Sequence, residues 1–164
     1  MRIAGLLLAA AALSGCQLQP LYGGGAQGPV QSTLAAVEVA PIDGQSGWLV
    51  GNALRDRLDA GQSATPRYRL EVKLDDQIAG LGVRRDDSVA RERRTLRARY
   101  QLIEISTGQV VLDATAGSDA GIDVVGSEYA TIAAERSALE RLAGIVADQI
   151  VARVARFAQS SGRQ

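Results

Sequence analysis

The sequence predicts an α+β fold, one domain in which a four-stranded sheet carries two helices on a single face, in the order β-α-β-β-β-α. Three observations predict it. Apolar and charged residues alternate strictly around residues 67–75 and again around 95–102, a turn signal at 106–108 follows the second run, and an apolar stripe at helical spacing fills the C-terminal segment. A period of two gives a strand one dry face and one wet face, and steps of three and four give a helix one apolar side. Faces of that kind are buried together when helices are laid on one side of a sheet around a single core.

The elements follow in chain order. Leu34–Ala40 (LAAVEVA) reads as a first strand, stopped by Pro41, which has no N–H to give a ladder. A helix comes next. Ser46 is placed to cap it, Val50, Leu54 and Leu58 recur at i+4, and Gly61 stands where a C-terminal glycine ends a helix. After Pro66, Tyr68, Leu70, Val72 and Leu74 face inward, while Arg67, Arg69, Glu71, Lys73 and Asp75 face outward. Residues 77–90, rich in glycine and charge, read as a loop. The third strand repeats the alternation, with Leu96, Ala98, Tyr100 and Leu102 inward and Thr95, Arg97, Arg99 and Gln101 outward.

Ser106-Thr107-Gly108 predicts a three-residue hairpin loop with glycine at the position of positive φ. Pairing Ile105 with Gln109 then sets Leu102 opposite Leu112, Tyr100 opposite Ala114 and Arg99 opposite Thr115, so the inward sets of the two strands agree. The same register sends Ile103 and Val111 to the outer face. The last helix is expected from Ser127 to Ala158, with Ile132, Leu139, Leu142, Val146, Ile150, Val154 and Phe157 as its buried stripe.

The N-terminus carries a different signal. Met1-Arg2 is a short positive region, Ile3–Leu13 is apolar but shorter than the roughly 20 residues that span a bilayer, and Leu13-Ser14-Gly15-Cys16 ends the run. This is the pattern of a bacterial lipoprotein signal peptide (residues 1–15), cut before Cys16, whose thiol takes a diacylglycerol. The chain has one cysteine and it falls at this position. Two or more acyl chains hold a protein stably, each buried CH₂ contributing about 0.8 kcal/mol. Gln17, where an aspartate would signal retention at the inner membrane, favours the outer membrane. Residues 16–32, with their glycine and proline, read as a lipidated flexible tether, and residues 33–160 as the folded domain.

Composition narrows the function classes. Positive and negative side chains are equal in number, so there is no global case for nucleic acid. Histidine is absent, which removes the usual general base and metal ligand, and a lipidated Cys16 leaves no thiol nucleophile. No catalytic residue, metal site or cofactor is expected, and the chain reads as a non-enzyme. The arginines are the one concentration of chemistry. Arg84, Arg85, Arg91, Arg93, Arg94, Arg97 and Arg99 fall within one short stretch against Asp86, Asp87 and Glu92, and Arg67, Arg69 and Lys73 share the outer face of the preceding strand. Guanidinium groups take phosphate bidentately. The same residues also suit a solvated face partly neutralised by Glu71 and Asp75, or docking to an acidic surface.

Short motifs in order along the chain resemble one family. They are the Cys16 motif with Pro20-Leu21-Tyr22-Gly23 after it, Val39-Ala40-Pro41-Ile42, Asn52-Ala53-Leu54-Arg55-Asp56-Arg57-Leu58 and Tyr68-Arg69-Leu70. Further along stand Leu96–Leu102 with Thr107-Gly108 after it, Tyr129-Ala130 leading to Ala134-Glu135, and Ala147-Asp148-Gln149-Ile150. Together these resemble the lipopolysaccharide-assembly lipoproteins of the LptE family in their alphaproteobacterial form. Gly51 departs from that pattern, which has a basic residue there. The resemblance implies an outer-membrane lipoprotein that plugs the lumen of the LptD β-barrel, helps the barrel assemble and contacts lipopolysaccharide (LPS) on its way to the surface. It implies three partners: the barrel, LPS, and the membrane through the anchor. Arg67, Arg69, Lys73, Arg91, Arg93, Arg94, Arg97 and Arg99 are then candidates for contact with LPS or with the barrel. A lipoprotein auxiliary of an ABC-type lipid transporter is the rival reading, sharing the anchor and a small α+β domain.

Overall fold

The structure, a computed structural model, describes residues 28–58, 65–83, 89–124 and 126–161. The signal peptide, Cys16, most of the expected tether, Gly61 and residues 84–88 with Arg84, Arg85, Asp86 and Asp87 lie outside the described residues. The described chain runs α1 (Pro29–Ala35), β1 (Val37–Val39), α2 (Gly44–Leu58), β2 (Tyr68–Val83), β3 (Val89–Glu104), β4 (Val110–Asp123) and α3 (Glu128–Ser161). The four strands form one mixed sheet in the order β1-β2-β3-β4, with β1 parallel to β2 and the other neighbours antiparallel.

The inward sets expected from the alternation are the core. Leu70, Leu96 and Leu102 are 0% exposed. Tyr68, Val72, Ala98 and Tyr100 are buried beside them, and all pack in one cluster with Val50, Leu54 and Leu58 of α2 and Leu139, Leu142, Val146, Ile150 and Val154 of α3. Burying one such side chain stabilises by about 1.5–3 kcal/mol. Phe157 closes the stripe edge-on to Tyr68, with ring centroids 5.9 Å apart. Arg57 of α2 ties the helices by an ion pair to Asp148 of α3 at 2.6 Å.

Several expectations are corrected. A helix, Pro29–Ala35, occupies the end of the expected tether and the start of the expected first strand. Proline in its first turn suits a helix, and Val30 and Leu34 bury themselves in the core. The first strand therefore shrinks to Val37–Val39. The second helix opens at Gly44, whose φ of +81° suits glycine, so Ser46 lies inside the first turn rather than capping it. Gly51 sits buried within that helix and does not interrupt it.

The largest correction concerns residues 77–90. In place of a long loop, β2 and β3 continue the hairpin in unbroken register from Tyr68↔Glu104 to Leu81↔Arg91, with Val83 paired to Val89 beyond. Sixteen-residue strands are about 53 Å long, and the 34-residue α3 is about 51 Å long. The helix can therefore follow the hairpin to its far end. There the inner face turns polar. Arg94 pairs with Asp76 at 2.7 Å and donates to the Glu135 carbonyl of α3 at 3.0 Å. Ile132, expected in the buried stripe, is 56% exposed, and the buried positions of α3 start at Ala138.

The β3–β4 turn takes in one more residue of β3 than expected. Gln109 pairs with Glu104 in place of Ile105, the Glu104 N–H donating to the Gln109 carbonyl at 2.9 Å, and Gly108 takes φ +69°. A bulge between Leu102 and Ile103 absorbs the difference, pairing Ile103 with Val110 and restoring Leu102↔Leu112, Tyr100↔Ala114 and Arg99↔Thr115. The bulge also turns Val111, expected outward, against the core.

Candidate functional site: the outer face of the sheet

The helices cover one face of the sheet, and the other carries charge in stripes. Odd-numbered residues of β2 and β3 point away from the core. Arg67 stands just before β2, Arg69 and Lys73 on it, and Arg91, Arg93, Arg97 and Arg99 on β3, all of them exposed. Arg94, one position out of phase, points to the inner side, where its side chain is 13% exposed in the ion pair with Asp76. That side-chain hydrogen bond raises its pKa above the usual arginine value. Of the eight candidates it alone is separated from the outer surface.

Facing the arginines of β3 is a row that sequence reasoning missed. The outward residues of β4 are Asp113, Thr115, Gly117, Asp119, Gly121 and Asp123, acidic or small throughout. Arg91 pairs with Asp123 at 2.9 Å, Arg97 with Asp119 at 3.2 Å and Arg99 with Asp113 at 3.2 Å. Hydrogen bonds from Arg99 and Gln101 hold Asp113 below the usual carboxylate range, and Thr95 and then Arg97 do the same for Asp119. Just before β2, Arg67 reaches Glu104 at 3.1 Å and depresses its pKa likewise, whereas Arg69 on the strand is 3.9 Å from Glu71. Lys73 makes no ion pair among the described residues. The expected neutralisation by Glu71 and Asp75 is thus carried mainly by aspartates of β4. Their period-two spacing was visible in the sequence, but only a strand placed over its whole length turns it into a face.

Glycine makes the crossing possible. Gly117 is the cross-strand partner of Arg97, and Arg97 lies over it to reach the Ser118 carbonyl at 3.1 Å and the Asp119 carboxylate. A Cβ at Gly117 would stand 2.5 Å from Arg97 Cδ and 2.9 Å from the Leu96 carbonyl oxygen. Lys73, Asp75, Arg97, Arg99, Thr115 and Gly117 line an open basin of about 610 Å³ on this face. Lys73, Arg97 and Arg99 bring cations to it and Asp75 a carboxylate. The backbone of Gly117 is in turn held at the sheet edge by Gln149 of α3, whose amide accepts from its N–H at 3.0 Å and donates to its carbonyl at 3.3 Å.

Chemically, this surface offers guanidinium and ammonium groups to an anion. No group of three or more metal-ligating side chains occurs among the described residues. No described helix is long and apolar enough to cross a membrane.

Known proteins agree with this architecture. A putative lipoprotein from Caulobacter crescentus superimposes with a TM-score of 0.69 at 22% identity, covering 80% of this chain and 98% of its own. A minor lipoprotein from Acinetobacter baumannii gives 0.61 at 12% identity, over 74% and 92%. Lipoprotein B from Nitrosomonas europaea gives 0.57 at 13% identity, over 76% and 88%. At these identities the likeness is one of fold. The search of curated proteins returns no match. The family model for LptE, described as lipopolysaccharide-assembly, matches residues 34–154, from the end of α1 to the last turns of α3. The chain therefore belongs to the LptE family of lipopolysaccharide-assembly lipoproteins.

Proposed function

We propose that the chain is lipidated at Cys16 and held at the outer membrane. There it plugs an LptD-type β-barrel, helps it assemble and assists LPS on its way to the cell surface. The basin on the outer sheet face receives a phosphate of LPS, with Lys73, Arg97 and Arg99 as its cationic contacts and Arg67, Arg69, Arg91 and Arg93 extending the charged surface around it. The observation that carries this reading is the convergence of three cations, drawn from two strands, on one open basin across which Arg97 lies over Gly117. Lys73 needs no ion pair broken to bind an anion. Arg97 and Arg99 must exchange an aspartate for it, and a phosphate oxygen accepts a charge-assisted hydrogen bond as well as a carboxylate does. Family membership supports the role in LPS assembly, and the motif Leu13-Ser14-Gly15-Cys16 supports the anchor. Affinity recovery of the lipidated chain from detergent-solubilised envelopes tests the partner. An outer-membrane barrel should be recovered with it, and recovery of an ATPase–permease complex in its place would overturn the reading.

A further inference from the structure

One end of the molecule brings the close of α1 beside an apolar tip. The Ala36 carbonyl accepts from the Arg67 and Tyr68 N–H groups at 2.8 and 3.1 Å, and the Arg67 carbonyl accepts from the Ile105 N–H at 3.0 Å. The end of α1, the start of β2 and the β3–β4 turn therefore lie side by side. α1 is fixed there, because Val30 and Leu34 are buried in the core. The far ends of β2 and β3, with the start of α3, stand about 50 Å away along strands of sixteen residues.

The tip is aliphatic. Ile105 is 41% exposed and Val110 49%. Val110 is the cross-strand partner of Ile103, so the two share the outer face. The bulge that turns Val111 against the core is what sends Val110 outward. Arg69 faces Ile103 from β2, and the side chains of Arg67 and Arg69 are 66% and 49% exposed. Aliphatic groups with guanidinium groups beside them suit a bilayer interface, carbon among the acyl chains and cations at the level of the phosphates.

Exposed aliphatic residues alone call for no partner. The tether decides. Cys16 precedes Gly28, the N-cap of α1, by twelve residues. A chain of that length reaches at most roughly 40 Å when fully extended and averages about 20 Å when flexible. Gly28 stands within about 12 Å of Ala36, by the rise of the helix between them. A lipid on Cys16 thus brings this end to the bilayer at an ordinary extension of the tether, whereas the far end would need nearly all of it.

We propose that the tip formed by Ile103, Ile105 and Val110 rests in the membrane that holds the Cys16 lipid, with Arg67 and Arg69 at phospholipid phosphates. The inference rests on the Cys16 anchor proposed above and is independent of the barrel and of LPS. It gives the domain a posture, with the far ends of β2 and β3 and the start of α3 pointing away from the bilayer.

Cys16 is the one cysteine of the chain, so with its thiol lipidated an introduced cysteine carries a single fluorophore. Ile105→Cys and Val110→Cys place it on the tip, and Tyr129→Cys, at a position 86% exposed near the far end, is the control. Each lipidated chain is reconstituted in vesicles of phosphatidylethanolamine and phosphatidylglycerol that contain a lipid with a nitroxide on its acyl chain. The nitroxide should quench the two tip labels at least threefold more than the control label. Equal quenching of all three means that the chain lies along the bilayer and overturns the proposal. Unquenched tip labels on vesicles that retain the chain overturn it and leave the anchor standing, whereas a chain lost from the vesicles overturns both. Ile105→Asp separates contact from mere closeness. Added to Val110→Cys, it should cut quenching at least threefold with an unchanged melting curve, and Ile105→Asn takes its place if the aspartate variant melts early. Quenching that survives these changes overturns the proposal.

Discussion

Gly117→Ala tests the packing on which the outer face depends. The added methyl would stand 2.5 Å from Arg97 Cδ, 2.9 Å from its Nη1 and 2.9 Å from the Leu96 carbonyl oxygen. The first two contacts are with a long side chain that can swing away, at the loss of its bonds to Ser118 and Asp119. The third is with backbone of the neighbouring strand, which can move only by parting β3 from β4. Overpacking of this order costs about 1–3 kcal/mol, or a fall in melting temperature of roughly 3–12 °C for a domain of this size. Removing the Arg97 side chain should relieve part of the cost and leave the backbone contact. In a double-mutant cycle with Arg97→Ser, thermal unfolding should therefore give a favourable coupling of at least about 0.5 kcal/mol between the two changes. A Gly117→Ala cost that is the same with and without the Arg97 side chain would refute the claim that Arg97 lies across this glycine.

Further expectations follow from the same faces. Leu70→Ala or Leu102→Ala, both fully buried, should cost about 2–5 kcal/mol in chemical denaturation. Arg69→Ala, exposed and 3.9 Å from its carboxylate, should stay within about 0.5 kcal/mol; equal losses would contradict the assigned faces. Asp113→Asn with Asp119→Asn removes the carboxylates that compete for Arg99 and Arg97, so calorimetry should show tighter binding of LPS, and weaker binding would mean that the aspartates position the arginines for it. Cys16→Ser should abolish incorporation of labelled fatty acid and leave unprocessed precursor, whereas label retained on the serine variant would place the anchor elsewhere.

What the sequence made legible depended on how far one local signal could decide. The inward sets Tyr68–Leu74 and Leu96–Leu102 were readable because period two admits one core-facing assignment, and they carried the pairing Leu102↔Leu112 with them. The same signal failed at residues 77–90. There Ala79 and Leu81 put apolar residues at outer positions and Gly80 leaves an inner one without a side chain, so alternation disappears although the strands continue. Beside that stretch, the Arg94–Asp76 pair and the Glu135 carbonyl satisfy polar groups on the inner face. The helix Pro29–Ala35 was hidden by composition, since glycine and proline just before it signal a tether and its two anchors, Val30 and Leu34, gain their burial only from α3 and the core. At the outer face, the arginines of β3 stood out as a cluster, but their aspartate partners lie 14 to 32 positions away in sequence. Only the β3–β4 register brings them together.

Phosphate recognition by the outer face of this sheet, the proposed way of holding LPS, is tested by binding of the purified mature chain to LPS, compared between the parent and the double change Arg97→Glu with Arg99→Glu, each checked by its melting curve. Both side chains are exposed and neither touches the core. A charge-assisted hydrogen bond contributes about 1.5–3 kcal/mol, so loss of two arginines with reversal of charge should weaken binding by at least a hundredfold. The melting temperature should remain within a few degrees. Binding by the parent should also weaken as salt is added, because exposed charge pairs are screened. Unchanged affinity in a variant that melts normally would contradict the account and return these arginines to a face paired with its own aspartates.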